Sequence, residues 1–280
     1  MTDRLRHIRE NFAREVASAA GVRDPRIEAA FSATPREEFA GPGPWLIAEG
    51  AGYVETPDDD PARLYRNELV AIDAARGINI GEPVLHAMCL DALRVQDGET
   101  VVHVGAGVGY YTAILARLVG ATGRVFAYEI DPAIAARAAK NLEGFGNVDV
   151  RARSGVAPDL PKADAVYVNA SAVAPCREWR DALKVGGRLM FPLEAPGRLG
   201  AMLLLTRPAG AGAWPARMML TVAFIACESD RDREATRRLA EAFDRGGWSE
   251  VRSLRFDPPD ESTWLAGDGW RLSSKAPDEP

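Results

Sequence analysis

Cysteine is scarce in this 280-residue chain, occurring only as Cys89, Cys176 and Cys227. An odd number of widely spaced thiols suggests neither a disulfide framework nor a zinc site, so no metal is expected and a reduced, cytoplasmic protein is the default. Long apolar runs are missing as well. The longest, Met218 to Cys227 interrupted only by Thr221, is too short to span a bilayer. The charged start Met-Thr-Asp-Arg-Leu-Arg-His lacks the apolar core of a signal peptide. Basic residues are not in excess: the formal net charge of −6 speaks against binding to nucleic acid or an anionic membrane. No internal repeat or long low-complexity tract is visible. With 47% hydrophobic and 26% charged residues, the chain has the composition of a globular protein with a substantial core. Its length fits one large domain or one domain with extensions.

The most informative stretch runs from Val101 to Thr112, Val-Val-His-Val-Gly-Ala-Gly-Val-Gly-Tyr-Tyr-Thr. Apolar residues lead into a tight glycine turn, and Tyr111, Ile114, Leu115, Leu118 and Val119 then repeat with helical spacing. A strand, glycine loop and helix in this order present backbone N–H groups and a helix N-terminus to a ligand. The spacing is Gly-x-Gly-x-Gly. Bulky Tyr110 stands where the dinucleotide fingerprint needs its third glycine, so the loop suits a nucleoside-type ligand without a pyrophosphate, namely S-adenosylmethionine.

Around this loop the pattern predicts an α/β protein with a Rossmann-like, doubly wound, mostly parallel sheet. Helices are expected over 3–20 and from Asp24-Pro25, then an irregular excursion over 46–68, a short strand at 69–72, a loop at 77–83 and a helix from Pro83. The alternation follows: strand 100–104, helix 110–119, strand 124–129, helix 132–144, strands 148–153 and 164–169, helix 175–184, strand 187–193. Residues 200–206 and 217–227 read as a hairpin closing the sheet edge. A charged helix over 231–245, two further strands within 251–256 and 263–272, and a frayed end complete the chain. The expected division is an N-terminal helical and loop cap over 1–80, a cofactor-binding domain over 81–229 and an α+β extension over 230–280. The Asp58-Asp59-Asp60 run reads as a solvated turn, with cation binding the less favoured alternative.

Glu129 lies twenty residues after Gly109, at the end of the next strand, where a carboxylate can accept hydrogen bonds from both hydroxyls of a ribose. A helix cap at this place fits Asp131 better. His103, just before the loop, could accept one hydrogen bond through a neutral ring nitrogen or could be a satisfied core histidine. Ser154-Gly155, after the third strand, stands where an adenine edge would lie.

Taken together, these stretches resemble the protein-L-isoaspartate O-methyltransferases, a family of class I S-adenosylmethionine-dependent methyltransferases, from about Pro25 to about Glu228. The glycine loop through Ala113, Leu183-Lys184-Val185-Gly186-Gly187-Arg188-Leu189, the opening Pro35-Arg36-Glu37-Glu38-Phe39, the substrate-side loop Asn79-Ile80-Gly81-Glu82-Pro83 and the fourth strand Asp164 to Ala170 carry the likeness. The resemblance implies cofactor contacts from Ile80, His86, His103, Gly105, Ala106, Gly107, Gly109, Tyr110, Glu129, Ile130, Ser154 and Gly155. It places Gly81, Glu82 and Asn169 at the reacting centre. It further implies methylation of an isoaspartyl carboxylate in a protein or peptide, hence a role in protein repair. Three places depart from the family pattern: Gly81 where a serine is usual, His103 where an acid is usual, and Arg153-Ser154-Gly155 for Gly-Asp-Gly. Two alternatives therefore stay open: the same fold acting on another small-molecule or protein acceptor, and a non-catalytic S-adenosylmethionine-binding module. No oligomeric state is implied.

Overall fold

Apolar residues spaced three and four apart shape the first helices. In the computed structural model, which describes residues 3–50, 52–225 and 232–279, α1 (Asp3–Ala20) buries Phe12, Ala13, Val16 and Ala17. Asp24 caps α2 (Pro25–Ala33) by accepting the Arg26 N–H, and Pro25 occupies the first turn. After α3 (Arg36–Ala40) the expected irregular excursion contains an antiparallel hairpin, β1 (Leu46–Glu49) and β2 (Gly52–Glu55). Both strands are largely exposed, so they lack the buried face that alternation would reveal. A second small hairpin, β3 (Ala71–Asp73) and β4 (Ile78–Asn79), turns through left-handed Gly77 and leads into α4 (Pro83–Leu93).

The alternating region follows as β5 (Thr100–Val104), α5 (Tyr110–Leu118), β6 (Arg124–Glu129), α6 (Pro132–Asn141), β7 (Val148–Ala152), β8 (Ala163–Val168), α7 (Arg177–Ala182) and β9 (Leu183–Leu193). Each expected element is present, with ends shifted by a few residues. The largest shift is in β9, which begins at Leu183. Its pairing with β8 jumps from Ala163↔Leu183 to Ala165↔Arg188, so the Gly186-Gly187 turn is an irregularity inside the strand. Beyond it come β10 (Gly200–Thr206), β11 (Trp214–Val222), α8 (Arg233–Arg245), β12 (Ser253–Arg255), β13 (Thr263–Gly267) and β14 (Trp270–Ser273).

The elements form two compact units. One comprises Met1–Glu99 with Ala106–Arg153, and the other Thr100–Gly105 with Ser154–Pro280. In the first, β6 and β7 pair in parallel and α1 lies against α2 and α4. In the second, the strand order is β13-β14-β12-β11-β10-β9-β8-β5. Strands β5, β8 and β9 are parallel, and the rest of that order is antiparallel.

Two expectations are corrected here. Strands β10 and β11 do not close an edge, because β12 pairs with β11 and the sheet continues. The tail supplies three strands, since β13 and β14 form their own hairpin through Gly269. Lys275 and Ala276, within the stretch expected to fray, are held by hydrogen bonds. Ser253 Oγ donates to the Lys275 carbonyl at 2.7 Å and Arg255 Nη2 to that of Ala276 at 2.7 Å. The expected boundary between 229 and 230, and the end of the apolar run at Cys227, lie outside the described residues.

Candidate cofactor and active site

Gly105, Gly107 and Gly109 have φ of 73°, 56° and 93°, so the turn after β5 follows a path that side-chain-bearing residues rarely take. At Gly109 space is closed too, because a Cβ would lie 2.7 Å from Leu142 Cδ1. In the first unit the loop is fastened from below. The Ala106 N–H donates to the Tyr128 carbonyl at 3.0 Å, the Gly107 N–H to Glu129 Oε2 at 2.8 Å, and Asn141 Nδ2 to the Val108 carbonyl at 2.9 Å.

Glu129 thus has a second task that its position in the sequence did not announce. Its other oxygen accepts the Asp131 N–H at 3.0 Å. Each carboxylate oxygen has two lone pairs, so capacity remains for ribose hydroxyls. Burial raises its pKa from the ordinary carboxylate value, while the N–H groups of Asp131 and Gly107 oppose that rise. Asp131 is the cap of α6, accepting from the Ala133 and Ile134 N–H groups at 2.8 and 3.0 Å, and it also pairs with Arg76 Nη1 at 2.6 Å. Ile130, between the two acids, holds its side chain 45% exposed.

The substrate-side loop lies in the same unit. Buried Ile80 donates its N–H to the Val70 carbonyl at 2.9 Å. Gly81 has φ of 90°, donates to Asn79 Oδ1 at 2.9 Å, and accepts from Tyr111 Oη at 3.2 Å and Arg36 Nη2 at 3.4 Å. A Cβ on Gly81 would lie 2.3 Å from His86 Nε2. That imidazole stacks on Tyr111 with ring centroids 3.6 Å apart. The place of the family serine is therefore filled by the His86 ring, which gives the Gly81 departure a steric basis. Glu82 accepts from the Asn67 side-chain amide, whose oxygen in turn accepts the Val84 N–H at 2.8 Å.

Tyr110 is buried. Its ring turns away from the loop into a cluster with Phe39, Phe31 and Tyr111, at centroid distances of 5.5, 6.3 and 5.0 Å. Arg36, which was not singled out as a site residue, is fully buried and also donates to the carbonyls of Leu64, Arg66 and Glu68. Its signal was its place in the opening Pro35-Arg36-Glu37 stretch.

In the second unit His103 is fully buried and stacks on Tyr167. Burial lowers its pKa to about 3, so the ring is neutral. Asn169 Nδ2 lies 2.8 Å from His103 Nε2. As the amide donates, Nε2 is the ring nitrogen that accepts. The Asn169 backbone N–H donates to the Val104 carbonyl at 2.8 Å, and its Oδ1 is buried without a partner among the described residues. Ser154 Oγ accepts the Val156 N–H at 3.1 Å. A Cβ on Gly155 would lie 2.6 Å from Val104 Cγ1, so close packing accounts for that glycine.

Taken unit by unit, Glu129 in the first keeps acceptor capacity that fits the paired hydroxyls of S-adenosylmethionine, and Asn169 Oδ1 in the second is an unmet acceptor that fits its ammonium. Among the described residues no three His, Cys, Asp or Glu side chains gather as a metal requires. In the aspartate run, Asp58 pairs with Arg63 and Asp60 with Arg4. No helix among the described residues is long and apolar enough to cross a membrane.

Comparison with known proteins agrees with this geometry. The family model described as protein-L-isoaspartate(D-aspartate) O-methyltransferase matches residues 9–232. Protein-L-isoaspartate O-methyltransferase 2 of Anaeromyxobacter sp. (strain Fw109-5) is 30% identical over 213 residues, 74% of this chain and 76% of that protein. Protein-L-isoaspartate O-methyltransferase 1 of Rhodopseudomonas palustris (strain HaA2) is 34% identical over 203 residues, 71% and 74% of the two chains. A solved protein-L-isoaspartate O-methyltransferase superposes with a TM-score of 0.66 at 20% identity, covering 96% of this chain and 88% of its own. A putative Plasmodium falciparum enzyme of this kind, solved with S-adenosyl-L-homocysteine, gives a TM-score of 0.64 at 17% identity and coverage of 79% and 99%. The fold is that of the class I methyltransferases, and the chain belongs to the protein-L-isoaspartate O-methyltransferase family.

Proposed function

We propose that this chain is an S-adenosylmethionine-dependent carboxyl methyltransferase that esterifies isoaspartyl residues of proteins or peptides, the first step of their repair. The observation that carries this is the family match over residues 9–232, which contains the whole glycine loop and its Glu129 support. When bound, S-adenosylmethionine supplies a methyl group already activated on a sulfonium. A carboxylate acceptor, with a reference pKa of about 4, is ionised at neutral pH and needs no general base. The protein's work is then alignment and exclusion of water.

In this reading Glu129 would hold the ribose hydroxyls, and Gly105, Ala106, Gly107, Gly109, Tyr110, Ile130, Ser154 and Gly155 are the further residues that would hold the nucleoside. Asn169 Oδ1 would receive the methionine ammonium, with the neutral His103 ring holding the amide. Ile80 and His86 would contact the cofactor, Gly81 and Glu82 would serve the reacting centre, and the Glu82 carboxylate is bonded to Asn67. The cap over 1–80, the cofactor domain over 81–229 and the extension over 230–280 belong to the same reading, as does a cytoplasmic setting, which rests on composition. Calorimetric titration with S-adenosylhomocysteine tests the cofactor half, and absence of binding at millimolar ligand contradicts it. Transfer of labelled methyl from the cofactor to an isoaspartyl peptide, as a base-labile ester, tests the substrate half.

A further inference from the structure

In the second unit, residues 169–173 follow the end of β8 and residues 194–195 the end of β9. Ala172 pairs with Leu193 in parallel, and the Glu194 N–H donates to the Ala172 carbonyl at 3.0 Å. Open α/β sheets bind ligands outside the C-terminal ends of their parallel strands. Asn169 and Glu194 share that edge.

Glu194 is 3% exposed. One oxygen of its carboxyl accepts the Phe224 N–H at 2.9 Å. Gly200 packs so closely that a Cβ there would lie 2.5 Å from Glu194 Cβ. Among the described residues, the neighbours that contact it or brace its surroundings, Ser171, Ala172, Gly200, Phe224 and Ile225, are uncharged. The nearby Arg198 of the same connection pairs with Asp244. Among the described residues this carboxyl has one backbone donor and no cation, an environment that does not stabilise it as an ion.

We propose that Glu194 is a specificity-determining residue for the methyl acceptor, its carboxyl O–H donating a hydrogen bond to one oxygen of the acceptor carboxylate. This rests on the functional reading above. The other acceptor oxygen forms the new bond to the methyl carbon as the carbon–sulfur bond breaks and its electron pair leaves on sulfur. The acceptor's negative charge and the sulfonium's positive charge are consumed together, and Glu194 keeps its proton throughout. Ionised, Glu194 repels the same acceptor. Burial holds its pKa at about 7, so the exchange between the two forms falls in the neutral range.

The test is acid-quenched transfer of labelled methyl to an isoaspartyl peptide at about pH 6 and about pH 8, with wild-type protein and Glu194→Gln. A group titrating at about 7 loses about tenfold of its neutral form over that interval, so the wild-type KM for peptide rises about tenfold. The Gln amide donates at both pH values, so the KM of the variant stays within about twofold. Affinity for S-adenosylhomocysteine, read by calorimetry, does not follow this pH dependence. A variant that forms ester with the wild-type KM profile overturns the proposal. So does a flat wild-type profile, which decides the matter even if the variant fails to fold. Absence of ester from wild-type protein at both pH values overturns instead the functional reading, and this inference with it.

Discussion

Gly81 and His86 show how one missing side chain can be explained by another that is present. With φ of 90° and a Cβ position 2.3 Å from the imidazole, residue 81 cannot carry a side chain unless His86 leaves its stack on Tyr111. Gly81→Ala is expected to destabilise the fold by about 1–3 kcal/mol through strain and overpacking, read by chemical denaturation. The double variant with His86→Ala should lose less than the sum of the two single variants, because it removes the clash but not the backbone strain. Strict additivity would mean that the two residues are uncoupled. At Glu129 the expectation concerns binding. Glu129→Ala should weaken S-adenosylhomocysteine binding by about 1–3 kcal/mol, since it removes the proposed ribose acceptor and leaves the Gly107 N–H without its present partner. Unchanged affinity by calorimetry would limit Glu129 to supporting the loop.

Asp131 ends the β6–α6 connection with two jobs, capping α6 and pairing with Arg76. Asp131→Ala should cost about 1 kcal/mol in thermal or denaturant unfolding, as capping residues do. Arg76→Ala should cost less than about 1 kcal/mol because the arginine is half-exposed. The reverse order would make the ion pair, and not the cap, the fastening of this turn. Elements like these were legible where the chain has one unambiguous pattern. Strand β5 is almost entirely buried, β6 has its apolar positions inside, and Asp131-Pro132 announces a helix start. The β1–β2 hairpin escaped because neither strand has a continuous buried face, and the start of β9 because a bulge there looks like a turn. The candidate site divides in the same way. The glycines and Glu129 follow from local spacing. The contact of His103 with Asn169, 66 residues apart, and the filling of the Gly81 space by His86 follow only from the packed fold. Glu194 was not singled out because its interest lies in burial among uncharged neighbours, which no motif records.

The stability of the whole chain should carry the mark of Glu194. Its native pKa of about 7 stands above the ordinary 4.5, so the native state holds the proton more tightly than the unfolded chain does. Its contribution is complete below about 4.5 and is lost as pH rises through about 7. Denaturation midpoints of wild-type protein should therefore fall across this window relative to those of Glu194→Gln. Parallel pH profiles would contradict the assignment. The activity itself is tested most directly by two peptides of identical sequence, one linked through an isoaspartyl residue and one through ordinary aspartate, incubated with the protein and labelled S-adenosylmethionine. The expected result is base-labile methyl ester on the isoaspartyl peptide and none above background on its partner. Equal labelling of both, or of neither while the cofactor binds, would contradict isoaspartyl methylation.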